Sequence, residues 1–214
     1  MLLLLARHGN TFEAGDKIVW VGARTDLPLT AKGREQAEAL GEGLQPMKSA
    51  IKRIVSGPLQ RTRDHAGIAA RALRFTQPVE IDDRLREIDY GLWEAKSTED
   101  IGALGGADEL KAWDKNGIWP ASPGWSPSQQ TVITNVAQLS HDLAASLGKD
   151  DAALLVTSNG ILKFFLKLVP GAFEAMAVSG SLKVATGNCC ALTHEARAWR
   201  VAFWNRQPGS LSFA

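Results

Sequence analysis

Three short aliphatic runs stand out in the chain, and each ends in a polar junction that contains glycine. The runs cover residues 2–6, 51–55 and 153–157, and they lead into Arg7-His8-Gly9, Ser56-Gly57-Pro58 and Ser158-Asn159-Gly160. Short, bounded aliphatic runs are typical of strands that are buried on both faces. The pattern therefore predicts three buried strands, each with polar residues at its carboxyl end.

Helical patterns lie between and after these runs. Thr30 and Ser128 are suited to cap two amphipathic helices, and apolar residues repeat at helical spacing over residues 59–73 and 161–168. Alternating strands and helices predict an α/β fold, with a largely parallel central sheet in a three-layer α/β/α sandwich. In such sheets ligands bind at the carboxyl ends of the strands, so we expect the three polar junctions to meet in space.

The two remaining regions follow other patterns. Residues 188–192 and 199–204 read as two further strands around a polar turn at 193–197. Residues 97–128 contain three tryptophans among Gly, Pro and charged residues, with weak helical periodicity. We interpret this segment as a lid or wall inserted over the strand ends, and a plain surface excursion is an equal alternative. No linker divides the chain, so we predict a single domain over residues 1–214.

Composition narrows the class of protein. The chain has 214 residues, 45% of them hydrophobic, and a net charge of +1, which gives no argument for nucleic acid or a membrane surface as a partner. The apolar start is too short for a signal peptide and is followed at once by Arg7, which favours a cytoplasmic protein. Cys189 and Cys190 are adjacent, a spacing that disfavours a mutual disulfide and makes a poor metal site.

The first two junctions together indicate an anion site. A histidine directly after a buried strand is more often structural than catalytic when it stands alone. Here His8 is flanked by Arg7 and by Gly9, which lets the backbone approach a phosphate closely. Arg61 falls in the first turn of the next predicted helix, where the helix N-terminus already favours anions.

Four motifs in order resemble those of the histidine phosphatase superfamily, which includes the cofactor-dependent phosphoglycerate mutases. They are Leu5-Ala6-Arg7-His8-Gly9-Asn10-Thr11, then Asp26-Leu27-Pro28-Leu29-Thr30 with Gly33 and Gln36-Ala37, then Ser56-Gly57-Pro58-Leu59-Gln60-Arg61-Thr62, and Leu85-Arg86-Glu87-Ile88-Asp89-Tyr90-Gly91-Leu92-Trp93-Glu94. A single Arg-His-Gly would be a weak signal, whereas four motifs over most of the chain are specific. The resemblance implies a phosphoglycerate mutase-like fold.

The resemblance also implies a set of roles. His8 would be the nucleophile that forms a phosphohistidine, and Glu87 would protonate the leaving alcohol and later accept a proton from water. Arg7 and Arg61 would bind the phosphate oxygens and stabilise the transition state, so that neither a metal ion nor another cofactor is required. Asn10 and Thr11 would contact the substrate.

This sequence departs from the family pattern in three places. Asn159 stands where a second histidine is usual; its neutral amide can still donate to the phosphate, but more weakly than a charged group. The loop over residues 12–24 is longer than usual, and residues 123–127 replace the usual P-G-G-E-S segment. We expect both segments to border the non-phosphate end of the substrate.

The sequence thus predicts a metal-independent phosphomonoesterase that acts on a small phosphorylated metabolite and releases inorganic phosphate. Two alternatives stay open at this point. One is a phosphoglycerate mutase-like phosphotransferase, which would keep its phosphohistidine long enough to phosphorylate a reoriented product. The other is a protein that binds a phosphorylated ligand without turnover, which Asn159 keeps open. Neither the substrate nor the oligomeric state follows from the sequence.

Overall fold

The computed structural model describes residues 1–211. Its six strands are β1 (Leu2–Arg7), β2 (Ile51–Ser56), β3 (Glu80–Ile81), β4 (Ala152–Thr157), β5 (Cys189–Glu195) and β6 (Ala198–Arg206). Its α-helices are α1 (Ala31–Gly43), α2 (Gln60–Leu73), α3 (Thr98–Ala103), α4 (Ala107–Asn116), α5 (Gln129–Ser146), α6 (Asn159–Leu162) and α7 (Ala172–Val178). Short 3₁₀ turns connect several of them, among them Lys163–Leu168 directly after α6.

All six strands form one sheet in the order β3-β2-β4-β1-β5-β6. The first four strands in this order are parallel to one another, β5 pairs antiparallel with β1, and β6 pairs antiparallel with β5. The parallel strands therefore present their carboxyl ends at one edge of the sheet, and the three polar junctions follow β1, β2 and β4 there. The predicted three-layer α/β fold with a largely parallel sheet is confirmed.

Alternating residues of the central strands pack into two separate hydrophobic cores, one on each face of the sheet. Leu4 and Ala6 of β1 pack with α1 and α2 on one face of the sheet. Leu3 and Leu5 pack on the other face with α5 and with residues 161–166. Both faces of the strand are covered, which explains why the run reads as continuous leucine rather than as an alternation.

Two predicted helix starts are confirmed by their caps. The Thr30 hydroxyl accepts the Gly33 N–H at the start of α1, and the Ser128 hydroxyl accepts the Thr131 N–H at the start of α5. Each cap satisfies a backbone donor that has no partner within the first helical turn.

Other element predictions need correction. The helix predicted over 161–168 is the four-residue helix α6 followed by a 3₁₀ stretch, because the consecutive residues 163–166 are all buried and tertiary packing overrides the helical period. The final strands are longer than predicted: β5 continues through 193–195, and the turn consists of Ala196 and Arg197 alone, both with positive φ. The two-residue strand β3 was not predicted.

The segment over 97–128 contains more helix than its weak periodicity indicates. Ser97 and Asp100 form a capping box at the start of α3, and α4 ends at Gly117 in the left-handed region. Trp113 and Trp125 are buried, and their rings lie edge to face with centroids 4.8 Å apart. Through these aromatic side chains the segment packs onto the core that contains Leu3 and Leu5.

None of the helices within residues 1–211 has the length and apolarity that crossing a membrane requires.

Candidate active site

Backbone hydrogen bonds hold the three polar junctions side by side. The His8 N–H donates to the Thr157 carbonyl at 3.0 Å, and the Gly57 N–H donates to the Val156 carbonyl at 3.0 Å. These bonds extend the parallel pairing just beyond the strand ends, so the side chains that follow each strand converge. The predicted meeting of the junctions is confirmed.

His8 is buried at the end of β1 with a defined tautomer. Its Nδ1 lies 2.8 Å from the Gly9 carbonyl oxygen. A carbonyl oxygen only accepts, so Nδ1 carries the proton and Nε2 keeps its lone pair. Burial, reinforced by the positive charges of Arg61 and Arg7, lowers the pKa of His8 well below its ordinary value. The imidazole is therefore neutral at physiological pH, with its lone pair on Nε2.

Gly9, the residue that fixes this tautomer, is itself held from two sides. The Gly9 N–H donates to Nδ1 of His65 at 3.0 Å, and a Cβ at Gly9 would overlap the Gly33 carbonyl of α1. His65 lies one helical turn after Arg61 and is fully buried, which lowers its pKa to about 3. It is thus a neutral acceptor that positions the backbone next to His8.

Arg7 is the last residue of β1 and directly precedes His8. Its guanidinium donates to the Val184 carbonyl at 2.6 Å. Its Nε is buried and has no hydrogen-bond partner within residues 1–211. An unpartnered buried donor is costly unless a ligand or water accepts from it, which favours an anion at this position.

Arg61 is held by the loop that precedes α1. Its guanidinium donates to the carbonyls of Thr25 at 2.8 Å and Gly22 at 3.0 Å, and its side chain is 1% exposed. Asp26 lies 3.9 Å from the guanidinium, the only carboxylate within ion-pair distance of it among the described residues. The carbonyls of Thr25, Gly22 and Val21, the last at 3.4 Å, fix the orientation of Arg61, and these neutral groups leave its charge in place.

Asn159 opens α6 with its side chain in a fixed orientation. Its Oδ1 accepts the Val184 N–H at 3.0 Å. Since the oxygen is used in this way, the side-chain NH₂ is the group left to donate elsewhere. Val184 thus binds Asn159 through its N–H and Arg7 through its carbonyl, and links the two side chains.

Glu87 reaches the site from the loop before Tyr90. Its carboxylate accepts the N–H of Ile88 at 2.9 Å and the N–H of Gly160 at 3.1 Å. A Cβ at residue 160 would overlap this carboxylate, so a larger residue there would displace the Glu87 side chain. Burial raises the pKa of Glu87, although these two N–H groups, the Arg61 charge and the Tyr90 hydroxyl oppose the shift. A carboxyl that holds its proton to higher pH is suited to general acid catalysis.

These side chains open into one cavity of about 450 Å³, within the range of small-molecule sites. His8, Arg7, Arg61, Glu87 and Asn159 all line it. The arrangement combines a neutral imidazole nitrogen, two guanidinium groups and a carboxyl of raised pKa. Chemically, such a set of groups can bind a phosphate ester, accept its phosphoryl group on nitrogen and protonate the oxygen that leaves.

Comparison with known proteins identifies the family of this chain. The model of the histidine phosphatase superfamily (branch 1) matches residues 3–207. The chain belongs to the histidine phosphatase superfamily. It is 32% identical, over 75% of its own length and 70% of the relative's, to glucosyl-3-phosphoglycerate phosphatase of Mycolicibacterium vanbaalenii.

Other members of the superfamily are similar in sequence or in structure. A Salmonella arizonae protein named "Probable phosphoglycerate mutase GpmB" is 28% identical over 73% of this chain and 68% of its own. The solved mycobacterial glucosyl-3-phosphoglycerate phosphatase in complex with VO₃ superposes with a TM-score of 0.78 at 26% identity, over 95% of this chain and 98% of that one. The phosphoglycerate mutase-like fold is therefore shown.

Residues of the long loop over 12–24 also line this cavity: Phe12, Ile18, Val19, Trp20 and Val21. Thr98, Trp113, Asp114 and Lys183 line it as well. Asn10 and Thr11 line the cavity too, and the Asn10 side-chain oxygen already accepts from the Thr186 hydroxyl.

The expectation for residues 123–127 is wrong. None of them lines this cavity; Trp125 instead packs among Trp20, Tyr90, Trp93 and Trp113. Trp125 stands where the usual segment has its second glycine, and its buried ring packs behind the cavity-lining residues Trp20, Tyr90 and Trp113. The other residues of the segment are exposed except Pro123.

Sequence reasoning missed His65 and Lys163. Each lies four residues after a predicted site residue, Arg61 and Asn159 respectively, and so one helical turn deeper on a similar face. This four-residue spacing is the sequence signal that points to both residues.

Cys189 and Cys190 are free and buried, and residues 1–211 contain no cluster of three or more His, Cys, Asp or Glu suited to a metal.

Proposed function

We propose that this protein is a metal-independent phosphomonoesterase that forms a phosphohistidine on His8. The observation that carries the proposal is the tautomer of His8. Its Nδ1–H is bound to the Gly9 carbonyl, Nε2 has no hydrogen-bond partner among residues 1–211, and His8 lines a cavity together with Arg7 and Arg61. A binding protein would need the arginines but not an unprotonated imidazole nitrogen beside them.

The first chemical step transfers the phosphoryl group to the protein. The Nε2 lone pair attacks phosphorus, an N–P bond forms, and the bond from phosphorus to the ester oxygen breaks. Glu87 gives its proton to the departing oxygen, so that an alcohol leaves rather than an alkoxide. Arg7 and Arg61 bind the non-reacting phosphate oxygens, whose charge they stabilise in the transition state.

The second step restores the enzyme. The Glu87 carboxylate takes a proton from a water molecule, whose oxygen attacks phosphorus. The N–P bond breaks, inorganic phosphate forms, and its release leaves His8 neutral. One carboxyl thus acts first as acid and then as base, as required when a covalent intermediate divides a displacement into two steps.

The substrate we propose is a small phosphorylated metabolite. A cavity of about 450 Å³ accommodates a compact molecule beyond the phosphate. The similarity to a glucosyl-3-phosphoglycerate phosphatase, and to a structure that holds VO₃, supports a phosphomonoester as substrate. The contacts of Thr98, Trp113 and Asp114 with the cavity support the segment over 97–128 as a substrate wall.

Hydrolysis of a panel of phosphomonoesters, followed by release of inorganic phosphate, tests this proposal. We expect turnover by the wild type, none by His8→Ala, and unchanged turnover by His141→Ala, whose histidine is exposed on α5. Transfer of the phosphoryl group to an added phosphoglycerate, in place of its release, would identify a mutase. Tight phosphate binding without any turnover would identify a binding protein.

A further inference from the structure

Lys163 is a buried cation that none of the steps above uses. It follows α6 directly, one helical turn after Asn159, and is 2% exposed. Lysine is almost never fully buried unless its charge is paired, because taking an ammonium out of water is costly. Its burial beside the active-site cavity therefore calls for an explanation.

The ammonium is stabilised by a ring rather than by a carboxylate. Its Nζ lies 3.7 Å from the ring centroid of Trp113, a residue of the cavity wall. It makes no hydrogen bond or ion pair with any residue that the structure describes. A cation–π contact offsets part of the cost of burial, and no carboxylate within residues 1–211 pairs with the ammonium to offset the rest.

The charged groups that act on Lys163 belong to the site. In order of strength they are Asp114 and Glu87, which favour the ammonium, then Lys183 and Arg7, which oppose it. Burial is the largest influence and lowers the pKa of Lys163 to about 8. At neutral pH the side chain is therefore mostly charged, yet its charge is only weakly compensated.

We infer that Lys163 is a charge-supporting residue of the phosphate site, which strengthens the binding of the phosphate dianion from behind Asn159. The inference rests on the proposed function only in taking that cavity as the phosphate site. Asn159 contributes a neutral amide to the phosphate, whereas Arg7 and Arg61 contribute charge from the other strand ends. Lys163 supplies positive charge on the Asn159 side without touching the phosphate.

A purely structural role is the competing explanation. In that case the aliphatic stem of Lys163 fills space under Trp113, and its charge is incidental. The two explanations differ in what the charge does. If the charge matters, removing it at constant volume weakens phosphate binding; if only packing matters, it does not.

Lys163→Met removes the charge and keeps a flexible side chain of similar size. Lys167→Met is a matched control: Lys167 lies one turn further along, also sits over a ring at 4.1 Å from Phe173, and pairs with Glu174 outside the active-site cavity. Unit charges on the order of 10 Å apart in a protein interior change affinity about tenfold. We expect the Kd for inorganic phosphate, measured by calorimetry, to rise about tenfold in Lys163→Met and to stay constant in Lys167→Met.

The steady-state parameters should change in the same sense. With an aryl phosphate we expect KM to rise in Lys163→Met while kcat changes less, since the charge acts on the bound phosphate before and during transfer. Lys163→Arg, which keeps the charge, should recover most of the affinity. A folded Lys163→Met with a phosphate Kd within about twofold of wild type would overturn the inference.

A measurement on the wild type covers the case in which Lys163→Met does not fold. Because coupling is reciprocal, bound phosphate must raise the pKa of Lys163 above about 8. The pKa can be followed by NMR of the lysine side chain with and without inorganic phosphate. A pKa that phosphate leaves unchanged would also overturn the inference. Phosphate binding with the expected shift but no turnover would contradict the proposed function and leave this inference standing.

Discussion

Replacing Asn159 by alanine and by aspartate separates two contributions of this side chain. Alanine removes both the NH₂ group that we propose as a donor to the phosphate and the Oδ1 that accepts the Val184 N–H. Aspartate keeps an acceptor for Val184 but loses the donor and places a carboxylate near the phosphate. The order of the two variants therefore shows which contribution dominates.

The magnitude for alanine follows from the bonds lost. Each neutral hydrogen bond contributes about 0.5–1.5 kcal/mol, so two bonds amount to about 1–3 kcal/mol. If all of it appears in the transition state, kcat/KM falls by roughly 5-fold to 150-fold. The upper part of this range applies if release of Val184 also frees Arg7, whose guanidinium donates to the Val184 carbonyl.

The assay is kcat/KM for an aryl phosphate, with the melting temperature of each variant measured alongside. If Asn159 donates to the phosphate, turnover should fall in the order wild type, alanine, aspartate, because aspartate adds repulsion to the lost donor. Asn159→His should hold or raise turnover at mildly acid pH. If aspartate proves more active than alanine, Asn159 acts only by holding Val184, and its assignment to the phosphate is refuted.

Three further predictions follow from the site. His65→Leu should lower kcat several-fold by releasing the Gly9 N–H, and His65→Asn, which offers an amide oxygen in its place, should recover kcat; equal loss in both would contradict a positioning role. Glu87→Gln should reduce turnover of alkyl phosphates far more than turnover of aryl phosphates, which have good leaving groups. Because burial raises the pKa of Glu87, wild-type kcat for alkyl phosphates should fall as the pH rises through that pKa. A flat pH profile would argue against Glu87 as the acid. A chelator should leave kcat/KM unchanged, because Arg7 and Arg61 supply the charge; inhibition reversed by added divalent ions would refute this.

The strand ends could be predicted from the sequence because local pattern alone determines them. A bounded aliphatic run specifies a buried strand, and parallel strands bring their carboxyl ends to one edge whatever their separation in the chain. His8, Arg61 and Asn159 meet for that reason. Their roles came from the resemblance, since neither periodicity nor spacing distinguishes a nucleophilic histidine from a structural one.

The supporting residues could not be predicted because they depend on tertiary contacts. His65 acts on Gly9 across 56 positions in the sequence, and Val184 links Asn159 to Arg7 through backbone groups that no side-chain motif reports. Trp125 shows the opposite failure. Its segment aligns with one that borders the substrate in the family, yet a bulky apolar ring is more stable in the aromatic core than at a polar cavity.

Trapping the phosphohistidine tests the account most directly. Wild-type protein is mixed with an aryl phosphate, quenched in alkali within one turnover, digested with trypsin and examined by mass spectrometry. Cleavage after Arg7 and Lys17 gives a peptide whose single histidine is His8. We predict one added phosphoryl group on this peptide, lost on brief acid treatment as a phosphohistidine requires and missing in His8→Ala. Rapid turnover with no acid-labile phosphate on this peptide, or with a phosphoryl group on another residue, would contradict the account.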